Sequence, residues 1–274
     1  MKIYSKITDP SKVVHRWVAE FELVFFQQKT FSTIENWMNQ WWWLSIIYAF
    51  VYILLVHVGQ VWMKKNNRKY ELRLPLIVWN TFLSIFSLWG AWRCVPEFIH
   101  SLNEHGLRHS LCNPALKQGI TGLWLWLFII SKVPETIDTL FIVLRQQKLI
   151  FLHWYHHASV LVYCFYSYGV FSPSGRWFTS MNLCIHAIMY GYYALRAARF
   201  RLPVFISKSI TSLQLIQMLI GFLVNLVALK YKNEGDDCMT PLSNIYVSLV
   251  MYASYFVLFA QFFRSSYVQK KRID

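Results

Sequence analysis

Continuous apolar runs, rather than alternating ones, dominate this chain. A helix needs about 20 residues to cross a hydrocarbon core. Seven stretches approach that length, at approximately 41–62, 74–93, 119–144, 150–169, 177–195, 206–229 and 243–263. The alternation that a membrane barrel requires is not what these runs show, so helices are the predicted spanning elements. Trp41, Trp42 and Trp43 open the first span as an interfacial aromatic anchor would. Residues 1–40 read as a polar N-terminal tail and residues 264–274 as a short basic C-terminal tail. The first 36 residues are mixed in charge and lack a proper apolar core, so no secretory signal is expected there. The predicted class is an all-α integral membrane protein with seven transmembrane helices. It forms one domain without long linkers or internal repeats.

Composition agrees. The 274 residues are 56% hydrophobic and include 13 Trp, 16 Tyr and 21 Phe, too apolar for an ordinary soluble domain. Net charge is +14, and its distribution gives an orientation. Lys64, Lys65, Arg68, Lys69, Arg73, Arg145, Lys148, Arg196, Arg199, Arg201, Lys208, Arg264, Lys270, Lys271 and Arg272 all fall on one side of the predicted membrane. The other side holds eleven basic residues, five of them in the tail beside Asp9, Glu20, Glu22 and Glu35. The positive-inside rule then places the C-terminus in the cytosol and the N-terminus across the membrane. The basic residues are scattered over short loops with no basic domain among them, which argues against a nucleic-acid partner. They suit topology, lipid head groups or a polyanionic substrate. Lys270-Lys271-Arg272-Ile273-Asp274 roughly matches a cytosolic dilysine retrieval signal, with Arg where Lys is usual.

Polar residues inside apolar spans are the candidates for chemistry, because they are expensive in hydrocarbon. His153, His156 and His157 have offsets that place three imidazoles within an arc of about 100° on one helix face. Such a stripe can bind metal, relay protons or attack an acyl group. Span three carries Lys132, Glu135, Asp138 and Thr139 around Pro134, which suits either a packing network or a site wall. Asn182 and His186 share a face of span five, with Met189, Tyr190, Tyr192 and Tyr193 beyond them. Thr211, Gln214 and Gln217 line span six and could be interhelical glue or part of a site. Cys94, Cys164 and Cys184 lie within or at the ends of spans as small packing residues. Cys112 and Cys238 fall in two polar loops on the non-cytosolic side, where an oxidising compartment would let them cross-link.

Taken in order, Lys132-x-x-Glu135-x-x-Asp138-Thr139, His153-x-x-His156-His157, His186-x-x-Met189-Tyr190-x-Tyr192-Tyr193 and Thr211-x-x-Gln214-x-x-Gln217 resemble the fatty-acid elongase (ELO) family. Its members are 3-ketoacyl-CoA synthases of the endoplasmic reticulum membrane, and the resemblance covers roughly residues 30–268. The Trp-Tyr within the histidine box and the segment Trp177-Phe-Thr-Ser-Met-Asn182 are most similar to the branch elongating saturated and monounsaturated long-chain acyl-CoAs. The resemblance implies seven helices, the last six forming an inverted barrel around an acyl tunnel that opens to the cytosol. It also implies a loop disulfide at Cys112 and Cys238, a homodimer, no cofactor, and work beside the reductases and dehydratase of an elongation cycle. The implied reaction joins acyl-CoA to malonyl-CoA, losing carbon dioxide and CoA, and gives a 3-oxoacyl-CoA two carbons longer.

A neutral imidazole can attack a thioester, and the acyl-imidazole survives where water is excluded. Cys164 lies about 10 Å along the helix from His157, too far for activation by the box. His156 is therefore the expected acyl acceptor, with His153, His157 and His186 orienting it and handling protons. Asn182, Gln214 and Gln217 are expected donors to a thioester or enolate oxygen. Lys132, Glu135, Asp138 and Tyr190 form a supporting network. Arg145, Lys148, Arg199, Arg201 and Lys208 are the expected partners of CoA phosphates. Two rival readings remain. A membrane di-iron desaturase or hydroxylase shares a His-x-x-His-His box but needs about eight histidines, and here only four are expected to converge, so no metal is assigned. A seven-span transporter would explain membrane ionisables but not the ordered motifs.

Overall fold

A computed structural model describes residues 2–113, 117–235 and 237–269 of the chain. The possible retrieval signal therefore lies outside the described residues. Nine α-helices are formed among them: α1 Gln28–Trp41, α2 Leu44–Lys65, α3 Arg73–Cys112, α4 Gly119–Glu135, α5 Ile137–Leu144, α6 Phe151–Gly169, α7 Gly175–Ala197, α8 Val204–Asn233 and α9 Leu242–Phe263. Four helices are long and apolar enough to cross a membrane by length and composition: α2, α3, α8 and the run from Leu242 to Val268. The outer face of α2 presents Ile46, Ile47, Phe50, Leu54, Leu55, Val58 and Val61, all exposed. A soluble protein rarely shows an apolar patch of that extent, whereas lipid covers it at no cost. This is a multi-pass membrane protein.

Helix boundaries differ from the expected spans in ways the backbone explains. Span three is two helices, because Pro134 removes a donor and Thr136 N–H bonds to Val133 O rather than continuing the α-helical ladder. The run α3 is interrupted at Gly106, whose backbone is not helical (φ 78°, ψ 177°). Its first segment, from Arg73 to His105, reaches about 50 Å at about 1.5 Å per residue, well over the hydrocarbon thickness of about 30 Å. It therefore projects beyond the bilayer, where Gly106 bends it. Cys112, expected in a loop, is its last residue.

The fold is overwhelmingly α-helical, and the one sheet among the described residues is a small hairpin in the N-terminal segment. Strands β1 Ile3–Thr8 and β2 Val14–Ala19 pair antiparallel, and a 3₁₀-helix Glu20–Phe26 leads into α1. Buried ionic contacts hold this unit to the bundle. The Asp9 carboxylate accepts hydrogen bonds from Ile120 N–H (2.7 Å) and Thr121 N–H (3.1 Å), satisfying two orphan donors at the start of α4. Gly119 is required there, since it has φ +71° and a Cβ would meet Asp9 Oδ1 at 2.0 Å. Arg93 of α3 donates to both Glu22 oxygens at 2.8 Å and to the carbonyls of Arg16 and Trp17 at 2.9 Å. Trp124 Nε1 donates to the same Glu22 (2.7 Å).

Each end of the bundle is tied by its own bonds. At the basic end, Arg73 donates to Ala197 and Ala198 carbonyls, and Gln146 donates to those of Met63 and Arg68. At the opposite end, a disulfide joins Cys112 to Cys238, and Met239 N–H bonds to Cys112 O.

Candidate active site

Near the basic end, residues of α5, α6, α7, α8 and α9 line a partly open cavity of about 400 Å³. His153, His156, His157, Asn182, His186, Asp138, Tyr190, Gln214 and Gln217 line it. The spacing of the three box histidines works as helix geometry requires: the His153 and His157 rings lie 4.6 Å apart and the His156 and His157 rings 5.5 Å apart. His186 reaches the same space from α7, which packs against α3, α8 and α4 and turns its Asn182–His186 face to the cavity.

Four groups form a polar ring at the cavity wall, linked by hydrogen bonds except between His186 and Glu135, which face each other as an ion-pair contact. Lys132 Nζ donates to Glu135 Oε1 (2.8 Å), Glu135 Oε2 (3.0 Å) and Asn182 Oδ1 (3.2 Å). Asn182 Nδ2 then donates to His186 Nε2 (3.1 Å), and His186 Nδ1 faces Glu135 Oε2 at 3.9 Å. The ammonium fixes which end of the Asn182 amide carries oxygen. The amide NH₂ in turn needs a lone pair on Nε2, so the His186 proton sits on Nδ1, toward the carboxylate. Lys132 and Glu135 do not line the cavity; they stand one layer behind Asn182 and His186. Asp138 does line it, and accepts from Trp79 Nε1 and from the Tyr190 hydroxyl, each at 2.7 Å.

The four imidazoles differ in how they are held. His153 Nε2 meets the Thr139 hydroxyl at 3.0 Å. His186 is hydrogen-bonded at Nε2, with Nδ1 turned to the Glu135 carboxylate. His157 is buried, while His156 is partly open to the cavity. The surroundings of His156 are Tyr255 (rings 5.0 Å apart) and Phe259 (6.4 Å). Among the described residues, no hydrogen bond engages a ring nitrogen of His156.

Other expected residues fall elsewhere. Gln214 Nε2 points at Met189 Sδ (3.2 Å) while its side chain still borders the cavity. Cys164 is buried in a separate small pocket with Phe128, Tyr168 and Thr179. Arg145, Lys148, Arg199, Arg201 and Lys208 sit at the same end but none lines the cavity, and all but the half-buried Arg145 are exposed. The remaining histidines stand apart: His15 against Asp9 (3.3 Å), His57 on Trp154, and His100, His105 and His109 in a cluster beside the Gly106 bend. Sequence reasoning missed Tyr52, Trp79, Tyr255 and Tyr267. Single aromatic residues in apolar helices carry no spacing signal that marks them.

A helical membrane protein with an imidazole-lined cavity at its basic end defines a class of intramembrane enzyme. Comparison with known sequences narrows it. The ELO (GNS1/SUR4) family pattern matches residues 37–274. The chain is 48% identical over 258 residues to very long chain fatty acid elongase 6 of Drosophila melanogaster, covering 93% of this chain and 80% of that one. It is 41% identical to the Homo sapiens protein of the same name, covering 92% and 94%, and 43% identical to putative fatty acid elongase 3 of Caenorhabditis elegans, covering 86% and 74%. The chain belongs to the ELO family, and it is an enzyme of the condensing step of fatty-acid elongation.

Proposed function

We propose that the protein extends saturated and monounsaturated long-chain acyl-CoAs by two carbons from malonyl-CoA, through an acyl-imidazole on His156. The single observation that carries this is the difference among the cavity histidines: among the described residues the ring nitrogens of His153 and His186 are held by Thr139 and Asn182, those of His156 and His157 are not, and of these two His156 is the more open to the cavity. In the first half-reaction its nitrogen lone pair attacks the thioester carbonyl. The carbon–sulfur bond breaks, and the proton lost by the imidazole accompanies the CoA thiolate as CoASH. In the second, malonyl-CoA loses carbon dioxide and its enolate carbon attacks the acyl-imidazole. The carbon–nitrogen bond breaks, and the imidazolide regains a proton delivered past His157 and His153. Asn182 is committed to His186 and Lys132, so its role is to hold His186 neutral beside the reacting carbonyl. Gln217, buried and facing the cavity, supplies the amide donor to the enolate oxygen.

The acyl chain occupies a tunnel inside an inverted barrel of the last six of seven spans. Its CoA phosphates rest on Arg145, Lys148, Arg199, Arg201 and Lys208. The enzyme resides in the endoplasmic reticulum membrane as a homodimer, with a lumenal N-terminus and cytosolic C-terminus, and passes product to the reductases and dehydratase of the cycle. What supports this is the cavity's position at the end richest in cations and the family membership. The test is a half-reaction assay. Purified protein given stearoyl-CoA without malonyl-CoA is expected to release one CoASH per active chain in a burst and then stop. His156→Ala is expected to give no burst. Absence of a burst from active wild-type protein would mean direct condensation in a ternary complex.

A further inference from the structure

Helix α2 does not line the cavity, and most of its surface faces outward. One of its side chains nevertheless reaches the histidine box. The Tyr52 hydroxyl lies 2.7 Å from Thr139 Oγ1, and Thr139 lies 3.0 Å from His153 Nε2. Tyr52 is 7% exposed and Thr139 fully buried, so water does not substitute for either partner. Two buried hydroxyls and the half-buried His153 imidazole thereby form a chain from α2, through α5, to α6.

We propose that Tyr52 is a positioning residue of the elongation reaction, acting through Thr139 to fix the tautomer and ring orientation of His153. Phenol is the stronger acid of the two hydroxyls, so Tyr52 donates to Thr139 Oγ1 and leaves the threonine proton to donate to His153 Nε2. The His153 proton then sits on Nδ1. A hydroxyl chain of this kind is cooperative, each bond polarising the next, and it is worth most where no water competes. His153 is 4.6 Å from His157, which in turn adjoins His156, so a misplaced His153 proton disturbs proton handling two rings away. The inference rests on the histidine-based reading above.

A neighbouring residue provides the control. Tyr48, one helical turn earlier, bonds Thr136 at the α4–α5 junction (2.9 Å) and so ties α2 to the same region without touching a histidine. The experiment compares full-length Tyr52→Phe, Thr139→Val and Tyr48→Phe proteins, using stearoyl-CoA and malonyl-CoA across pH 5.5–9. The expected result for Tyr52→Phe is a kcat about 5- to 30-fold lower with KM little changed, and a displaced pH profile of kcat. Adding Tyr52→Phe to Thr139→Val is expected to cost nothing further, because the two act as one chain. Tyr48→Phe is expected to keep kcat within about twofold and the wild-type profile. The proposal is overturned if Tyr52→Phe keeps the wild-type kcat and pH profile, or if Tyr48→Phe loses as much. Should Tyr52→Phe not fold, Thr139→Ser decides: retained kcat and profile beside a slow Thr139→Val supports the hydroxyl chain, and equal losses in both overturn it. Acylation of His156 in single turnover separates the two ideas. No adduct in the wild type ends the underlying mechanism, whereas equal rates of adduct loss on adding malonyl-CoA in wild type and Tyr52→Phe end only this proposal.

Discussion

At Asn182 the two ends of one amide determine the states of two neighbours. Its oxygen accepts a hydrogen bond from Lys132 and its nitrogen donates one to His186. The Lys132–Glu135 pair closes the ring, with side chains 2% and 4% exposed. Removing one member of a buried pair strands the other, at a cost of about 3–5 kcal/mol, whereas replacing both is often tolerated. Lys132→Met is therefore expected to lower thermal stability sharply and to abolish activity. The double variant Lys132→Met/Glu135→Gln should recover much of the stability but little of the activity, because His186 still lacks its carboxylate. Thermal unfolding and turnover measured on the same preparations check this; joint recovery would make the pair purely structural. These residues are visible in the sequence, since offsets of 3 and 4 on apolar helices define faces without knowledge of the fold. Which of them meets the cavity is not visible. Helix periodicity gives a direction around one axis, and the rotation of α4 relative to α6 and α7 is set by packing across the bundle. Tyr52 is the limiting case, 87 residues from its partner Thr139.

At the scale of elements, the long apolar helices were legible because hydrophobic run length maps directly onto membrane thickness. Two features were hidden. The break between α4 and α5 follows from Pro134 together with Thr136, and proline inside an apolar span permits either a kink or a break. The hairpin and 3₁₀-helix at the N-terminus were hidden for a different reason. Their stabilisation comes from Arg93 and from α4, remote in sequence, while locally the segment shows only mixed charge. Glu22 has no exposure and receives hydrogen bonds from Arg93, Trp124 and the Ala19 N–H. Glu22→Gln is expected to leave Arg93 buried without its counter-charge and to lower stability by about 3–5 kcal/mol. Turnover per folded molecule should change little, because none of these groups lines the cavity. A change in stability of less than about 1 kcal/mol would show that the hairpin is dispensable to the bundle.

For the whole molecule, one asymmetry organises both folding and function. Cations crowd the end where the cavity lies, and the disulfide closes the other. Loop charges made the first half of that statement readable from the sequence, and the positions of Cys112 and Cys238 offered the second as a possibility. What no loop count could reveal is that the bundle leaves a partly open space between α5, α6, α7, α8 and α9, because cavities are differences between packed volumes. Within that space the account depends on one atom pair: a ring nitrogen of His156 and the carbonyl carbon of the donor. Peptide mass spectrometry of the wild-type protein, incubated with stearoyl-CoA alone and quenched so that acyl-imidazoles persist, tests that bond directly. The account predicts a stearoyl mass increment on the peptide carrying His156, lost on adding malonyl-CoA and absent from His156→Ala. A protein that turns over normally yet carries no acyl group on that histidine would contradict it.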